Sequence, residues 1–233
     1  MSEPRHFPDG DSLAQALADD VASQLRASIE ARGQALIAVS GGNSPKPFFS
    51  RLAQKALPWD RVTVAQVDER WVPVTHPHSN ARLIGEHLLQ GPAASARFVP
   101  MKNDADSPQV GQPACEAALR SLPLPFDFVL LGMGDDGHTA SLFPHAPELA
   151  AGLRAQGPMC IATAAPAPPQ APYARMSLTL AGLSAARRWV LLLQGHGKLD
   201  VLRKAQQAGP VEEFPIRALL RHTSPALEVW SSP

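Results

Sequence analysis

The sequence FDFVLLGMGDDGHTASLFP, residues 126 to 144, contains the pattern that decides the fold of this chain. Its first part is an apolar run rich in Phe, Val and Leu. The run is too short for a typical helix, so it predicts a buried strand. Three glycines, two aspartates and a histidine follow within residues 132 to 138.

This turn predicts a ligand site at the end of the strand. Glycine allows tight turns and a close approach of the backbone to a small molecule. In open α/β sheets, ligands bind beyond the carboxyl ends of the strands. The alternative is an ordinary strand-to-helix turn in which Asp136 or Thr139 caps the next helix.

The composition favours one globular domain that does not bind nucleic acid. The 233 residues are 45% hydrophobic, and 21 basic residues balance 21 acidic ones. A chain of this size can bury a sizeable core, so we expect residues 1–233 to form a single domain. With a net charge of zero, the surface as a whole does not attract anions. A few individual side chains or backbone groups must therefore bind any anionic ligand.

Cysteine usage and hydropathy indicate a protein of the cytoplasm. Cys115 and Cys160 lie far apart without CxxC or metal-ligand spacing, so we expect reduced structural thiols. The first residues lack the apolar core of a signal peptide, and no segment approaches the length of a membrane span. We therefore expect a cytoplasmic protein with no membrane partner.

Strands and helices alternate along the sequence, which predicts an α/β fold: a mainly parallel sheet with helices on both faces, in three layers. Asp11 and Ser12 are expected to cap a first helix over residues 13–32, which ends at Gly33. Strands are predicted at residues 36–39, 62–67, 126–131, 159–163, 175–180, 189–193 and 227–230. The proline-rich residues 164–172 predict a surface loop.

The first strand leads into Ser40, Gly41 and Gly42, with Ser44 suited to cap the next helix and Pro45 to begin it. A strand, a glycine-rich turn and a helix N-terminus form an anion site, because free backbone N–H groups converge there. The spacing matches neither a dinucleotide nor a triphosphate loop, so one phosphate is predicted. The alternative is a capped turn without a ligand.

Charged side chains follow two further strands. Asp68, Glu69 and Arg70 come after residues 62–67, and Arg70 could bind a phosphate through two hydrogen bonds. Asp68 and Arg70 share a side only if the chain stays extended there. The alternative is an ion pair between Arg70 and a neighbouring carboxylate. Lys198 follows the glycines after residues 189–193.

These strand ends converge only if their strands lie parallel and side by side. The resulting pocket would hold cationic phosphate ligands at one end and an Asp/His pair at the other, which suits a phosphorylated sugar. His138 would be the general base, because an imidazole is largely neutral at pH 7. Either Asp136 or Asp135 could orient it. His76 and His78 lack a third ligand at metal spacing and are assigned to an exposed loop.

Residues 132–144 resemble the signature of the 6-phosphogluconolactonases, within the larger group that includes glucosamine-6-phosphate deaminases and ribose-5-phosphate isomerases. Residues 39–45, 67–73 and 175–180 are also similar to this family, so the resemblance extends from about Leu36 to Lys198. It implies that His138 activates a water, which attacks the lactone carbonyl to give 6-phosphogluconate. It also implies that Arg175 lies close to the sugar.

The resemblance implies a phosphosugar lactone as the small-molecule partner, no metal or organic cofactor, and a monomer or weak homodimer. Two alternatives stay open. In glucosamine-6-phosphate deaminases a catalytic glutamate stands where this chain has Phe143, and a phenyl ring transfers no proton, which counts against deamination. The same fold also serves as a non-catalytic sugar-phosphate-sensing module, although this chain has no basic excess for DNA.

Overall fold

The computed structural model describes residues 4–165 and 172–233. The predicted loop at residues 164–172 therefore lies mostly outside the described residues. Ten strands are described: β1 Arg5–His6, β2 Ala35–Val39, β3 Val62–Gln66, β4 Asp68–Arg70, β5 Arg97–Val99, β6 Phe128–Leu131, β7 Cys160–Thr163, β8 Arg175–Leu178, β9 Trp189–Gln194 and β10 Leu227–Ser232. Eight α-helices are described: α1 Gly10–Arg32, α2 Lys46–Ala53, α3 Asn80–His87, α4 Pro108–Arg120, α5 Leu149–Gly152, α6 Leu180–Ser184, α7 His196–Gln206 and α8 Ile216–Leu220. Short 3₁₀ helices span Trp59–Arg61 and Gly91–Ser95.

Seven strands form the central sheet, in the order β1-β10-β9-β6-β2-β3-β5, and every pairing between them is parallel. The predicted α/β fold with a mainly parallel sheet is confirmed. β6, the strand of the deciding sequence, lies at the centre between β9 and β2. The strand ends that lead to Ser40, His138 and Lys198 therefore belong to three adjacent strands, β2, β6 and β9.

Alternate side chains of the buried strands pack on opposite faces of the sheet, as the two-residue period requires. In β2, Ile37 and Val39 pack in the core under α1, α2 and α3, whereas Leu36 and Ala38 pack in the core under α4, α7 and α8. Helices thus cover both faces, which confirms the three-layer prediction.

A second, three-stranded antiparallel sheet in the order β4-β8-β7 was not predicted. The chain leaves the central sheet at Val67, whose N–H still donates to the carbonyl of Val39 while its own carbonyl accepts from Leu178. Residues 68–70 then pair with β8 instead of continuing β3. This change of partner was invisible in the sequence because β8 lies more than 100 residues later in the chain.

Two predicted helix caps were wrong. Asp9, not Asp11 or Ser12, caps α1, because its carboxylate accepts from Ser12 N at 2.7 Å. Ser44 does not cap α2: the helix begins at Lys46 after Pro45, without a side-chain cap, because a turn from Asn43 to Lys46 precedes it. No helix of the described residues is both long enough and apolar enough to cross a bilayer.

The turn after β6 does not lead directly into a helix, since α5 begins only at Leu149. Thr139 Oγ1 donates to the carbonyl of Gly132 at 2.9 Å, and Asp136 accepts from the backbone N–H of His138. Both side chains therefore stabilise the loop itself. This excludes the alternative in which Asp136 or Thr139 caps a following helix.

Candidate active site

A cavity of about 280 Å³ opens at the carboxyl ends of β2, β6 and β9, beside β4. Nearly every residue of the predicted site lines it: Ser40, Gly41, Gly42, Asp68, Arg70, His138, Arg175 and Lys198. Asp136 is not part of this lining, but it contacts His138. The structure thus brings together side chains that are up to 158 positions apart, from Ser40 to Lys198. Parallel pairing brings the ends of β2, β6 and β9 together, and the second sheet contributes Asp68, Arg70 and Arg175 through β4 and β8.

His138 and Asp136 form a pair at the end of β6. Nδ1 of His138 lies 2.6 Å from Oδ1 of Asp136, which also accepts the backbone N–H of His138. Burial raises the pKa of Asp136, but the hydrogen bonds from His138 outweigh it and hold that pKa below its ordinary value. An ionised Asp136 keeps the proton on Nδ1, which leaves Nε2 as the proton acceptor.

Gly134 has to be a glycine for this pair to form. A Cβ atom there would lie 2.0 Å from Nδ1 of His138 and 2.5 Å from Oδ1 of Asp136. Any side chain would therefore displace the imidazole or the carboxylate.

Asp135 has a different partner in the described residues: its side chain forms an ion pair with Lys198, in which Nζ lies 2.8 Å from Oδ1. The two carboxylates that the sequence left undistinguished thus have different neighbours. Lys198 lies in the first turn of α7, which begins at His196. Asp135 is exposed, so an anion in the cavity can compete with it for the ammonium group.

Asp68 and Arg70 share the side of β4 that faces the cavity, because the chain stays extended through residues 68–70. Arg70 Nη1 donates to the carbonyl of His78 at 3.0 Å and to Oδ1 of Asn80 at 2.9 Å. In residues 4–165 and 172–233 no carboxylate forms an ion pair with Arg70. The alternative of a structural ion pair at Arg70 is therefore not observed.

Arg175 and Asp68 form a buried group with Ser141. Ser141 Oγ donates to Oδ2 of Asp68 at 2.6 Å, and Nη1 of Arg175 lies 3.3 Å from Ser141 Oγ and 3.7 Å from Asp68 Oδ2. Burial lowers the pKa of Arg175, and Asp68 partly opposes this effect. Arg175 also lies directly opposite Arg70 in the antiparallel pair of β4 and β8.

Three residues that line the cavity each have a buried donor atom without a hydrogen-bond partner in the described part of the chain: Ser40 Oγ, Arg70 Nε and Arg175 Nε. Buried donors in folded proteins are normally paired. Two of the three belong to cations. Their common location indicates that the cavity accepts an anionic, oxygen-rich ligand.

Phe143 lies beside the catalytic candidates. Its ring centroid is 4.4 Å from that of His138, and the guanidinium carbon of Arg175 is 5.1 Å from it. The ring is buried, so it excludes water from one side of the imidazole.

Sequence reasoning missed three contributors to the site: Asn80, Ser141 and Glu69. Glu69 is buried, and its carboxylate accepts five hydrogen bonds, from Gln66, Arg70, Ser79, Asn80 and Ala81. Burial raises the pKa of Glu69, although these hydrogen bonds oppose the effect. Glu69 and Ser141 lie within residues 67–73 and 132–144, which carry the resemblance, whereas the signal for Asn80 was only that it stands at the start of a helix.

A metal centre is not indicated by the side chains. Among the residues that the structure describes, no group of three or more His, Cys, Asp or Glu side chains is arranged to hold a metal ion. His76 and His78 lie in a loop, as predicted, where their rings contact each other and Tyr173.

Comparison with known proteins gives a consistent result. The model of the family described as glucosamine-6-phosphate isomerases/6-phosphogluconolactonase matches residues 8–229. A 6-phosphogluconolactonase of Pseudomonas putida is 48% identical over 213 residues, which are 91% of this chain and 86% of that protein. A 6-phosphogluconolactonase of Rhizobium meliloti (strain 1021) is 42% identical over 234 residues, and the match covers 100% of both chains.

A solved structure agrees with these sequences. The crystal structure of a 6-phosphogluconolactonase from Shewanella baltica OS155 is 38% identical and has a TM-score of 0.94, covering 100% of this chain and 98% of the other. The resemblance that residues 132–144 carry is therefore confirmed over nearly the whole length. The chain belongs to the family of glucosamine-6-phosphate isomerases and 6-phosphogluconolactonases.

Proposed function

We propose that this chain hydrolyses 6-phospho-D-glucono-1,5-lactone to 6-phospho-D-gluconate, in the oxidative branch of the pentose phosphate pathway. The observation that carries the proposal is the His138–Asp136 pair at the wall of a cavity that also contains unpartnered cationic donors. The names of the relatives support the same reaction. The chain is thus a hydrolase that acts on a sugar-phosphate lactone.

His138 acts on water in this mechanism. Asp136 holds the proton on Nδ1, so Nε2 accepts a proton from a water in the cavity. The resulting hydroxide attacks the lactone carbonyl carbon, and a tetrahedral oxyanion forms. As the intermediate collapses, the bond between that carbon and the ring oxygen breaks, and the imidazolium returns its proton to the ring oxygen. One water is consumed, and the ring opens to a carboxylic acid and a hydroxyl group.

Arg70, Lys198 and the backbone of residues 40–42 are proposed to bind the phosphate. Nη1 of Arg70 is already occupied, so the ligand is assigned to the other edge of the guanidinium, whose buried Nε has no partner in the described residues. A guanidinium edge of this kind matches two oxygens of a phosphate. Lys198 would exchange Asp135 for the phosphate, and Ser40 would supply a hydroxyl group.

Arg175 is proposed to steady the sugar or the oxyanion. The residue lines the cavity, and its Nε is buried and unpartnered within the described residues. A donor that is already in place when negative charge develops stabilises the transition state without reorganisation. Asp68 would hold Arg175 in position and accept a sugar hydroxyl.

The proposal extends to the organisation of the protein. As the resemblance implies, we propose a monomer or weak homodimer that acts as one domain over residues 1–233. A phosphosugar is charged and does not cross a bilayer unaided, which supports a reaction in the cytoplasm. Phe143 provides no proton where deaminases have a glutamate, so hydrolysis is favoured over deamination.

A coupled assay tests the function. Freshly prepared lactone is added to the purified protein, and 6-phosphogluconate is measured with a dehydrogenase above the rate of spontaneous hydrolysis. The wild type should exceed that rate, and folded His138→Asn should not. Tight binding of 6-phosphogluconate without turnover in the wild type would favour the sensing module. Ammonia release from glucosamine 6-phosphate would favour a deaminase.

A further inference from the structure

Asn80 lies between the side chains of Asp68 and Arg70, the first and last residues of β4. Its Oδ1 accepts from Arg70 Nη1 at 2.9 Å, and its Nδ2 donates to the carbonyl of Asp68 at 2.9 Å and to Oδ1 of Asp68 at 3.3 Å. The residue is 2% exposed and lines the cavity. One neutral amide thus contacts an arginine through its acceptor and an aspartate through its donor.

This arrangement separates two groups that would otherwise attract each other. Arg70 and Asp68 are two residues apart on one side of a strand, a Cα separation of about 7 Å, which an arginine side chain spans easily. Yet no ion pair between them is present in residues 4–165 and 172–233. Asp68 is instead directed to Ser141 and Arg175.

Asn80 also determines which edge of the Arg70 guanidinium is free. Nη1 carries two hydrogens, and the carbonyl of His78 and the amide of Asn80 accept both. Nε remains buried without a partner in the described part of the chain. The second edge of the Arg70 guanidinium, which can donate to two phosphate oxygens, is therefore available to a ligand. No carboxylate in the described residues forms an ion pair with this guanidinium.

The surroundings of Asn80 leave it little freedom. Its backbone N–H donates to Oε1 of the buried Glu69 at 2.8 Å. On the other side, a Cβ atom at Gly41 would lie 1.9 Å from Oδ1 of Asn80, so the backbone of the glycine loop packs directly against the amide. The predicted phosphate loop and Arg70 are therefore held in register through this one side chain.

We propose that Asn80 is a positioning residue for phosphate recognition: it keeps Arg70 from pairing with Asp68, so that the guanidinium stays available to a phosphorylated ligand. The inference rests on the proposed function, because it assumes that Arg70 contacts the phosphate. Without the amide, Arg70 turns toward Asp68 and its charge is neutralised inside the protein.

Calorimetric titration with 6-phosphogluconate and with inorganic phosphate tests this inference. Asn80→Ala should raise both dissociation constants about tenfold, the loss expected when one charge-assisted contact is weakened. The matched variant is Asn80→Ala combined with Asp68→Asn, which removes the competing carboxylate. The double variant should bind within about threefold of Asp68→Asn alone, because Arg70 then has no internal partner.

The outcomes are distinguishable. If Asn80→Ala binds as the wild type does, or if its loss persists unchanged in the Asp68→Asn background, the positioning role is overturned. If Arg70→Ala leaves the binding of both ligands unchanged, the phosphate assignment fails, whatever Asn80 does.

If Asn80→Ala does not fold, as judged by circular dichroism, Asn80→Asp keeps the shape and places a carboxylate against Arg70. That variant should also bind at least tenfold more weakly, and wild-type affinity would overturn the inference.

Discussion

Nδ1 of His138 lies 2.6 Å from Oδ1 of Asp136, whereas the adjacent Asp135 contacts Lys198. Two consecutive aspartates thus contact two different side chains of the site. The first carboxylate restrains an ammonium group and the second orients an imidazole. The site therefore separates anion binding from proton transfer within two positions of the chain.

His138→Asn should lower kcat by roughly 10²–10⁴-fold, because the variant lacks a titratable base while it retains a polar side chain. Product affinity should change little, since Arg70 and Lys198 bind the phosphate. Steady-state rates above the spontaneous reaction, with calorimetry for 6-phosphogluconate, measure both. Near-wild-type turnover by folded His138→Asn would contradict the mechanism.

Asp136→Asn should also reduce kcat by roughly 10²–10⁴-fold, because an amide can donate to Nδ1 and leave the proton on Nε2. The dissociation constant for 6-phosphogluconate is the control and should stay near that of the wild type. Unchanged kcat would show that another group fixes the tautomer.

The lowered pKa of Asp136 has a consequence for stability with a definite sign. Its contribution is fully present above the ordinary value of 3.8 and is lost as the pH falls through the lower pKa of the folded state. The difference in unfolding free energy between wild type and Asp136→Asn should therefore be constant from pH 6 to pH 5. It should shrink below pH 3.8, as urea titrations across this range would reveal. A difference that disappears already near pH 6 would contradict the assignment.

Lys198→Ala should weaken binding of the phosphorylated lactone by about 1.5–3 kcal/mol, seen as a raised KM with a smaller change in kcat. The unphosphorylated lactone should be a poor substrate whose rate the variant leaves unchanged. Asp135→Asn is the matched control: it frees Lys198 from its ion pair, so affinity should not fall. Equal use of both lactones by the wild type would refute the phosphate assignment.

Treatment with a chelator such as EDTA should leave the rate of lactone hydrolysis intact, because the mechanism assigns water activation to His138. Activity before and after dialysis against the chelator measures this. Loss of activity that one divalent ion restores would instead support a metal-dependent hydrolase.

Asp127→Ala should destabilise the fold by about 3 kcal/mol, because the buried carboxylate accepts from Arg32, Ser28 Oγ and the N–H of Leu36, which would lose their partner. These contacts lie at the other end of β6 from the site. Urea unfolding should show the loss, whereas kcat of the folded protein should not change. Asp60→Ala, at an exposed ion pair, is the control and should shift stability by less than about 0.5 kcal/mol.

The strands that lead into the site could be predicted because each is a short apolar run followed by glycine or by a charged residue. Residues 36–39 and 126–131 each have this form, and parallel pairing then requires their ends to meet. The sequence could not separate the roles of Asp135 and Asp136, because the two are consecutive in a loop. Their difference arises from α7, which brings Lys198 against one of them.

The second sheet and Asn80 could not be predicted for a different reason. Residues 68–70 look like the end of β3, and only pairing with β8 turns them into a separate strand. Asn80 precedes a run typical of a helix, so a capping role explains it locally. Its actual contacts, with Asp68 and Arg70, depend on how α3 packs on β4.

The register of that second sheet sets Arg70 directly opposite Arg175, and like charges in such positions repel each other. Asp68 lies near Arg175 and forms no ion pair with Arg70 in the described residues. Under the proposed function, a phosphosugar bound near both cations would offset their repulsion. A ligand that binds only the folded form raises the melting temperature in proportion to the logarithm of its concentration. The protein should therefore resist heat and proteolysis best when its metabolite is abundant. Supply of the sugar phosphate would then govern the lifetime of the enzyme as well as its rate.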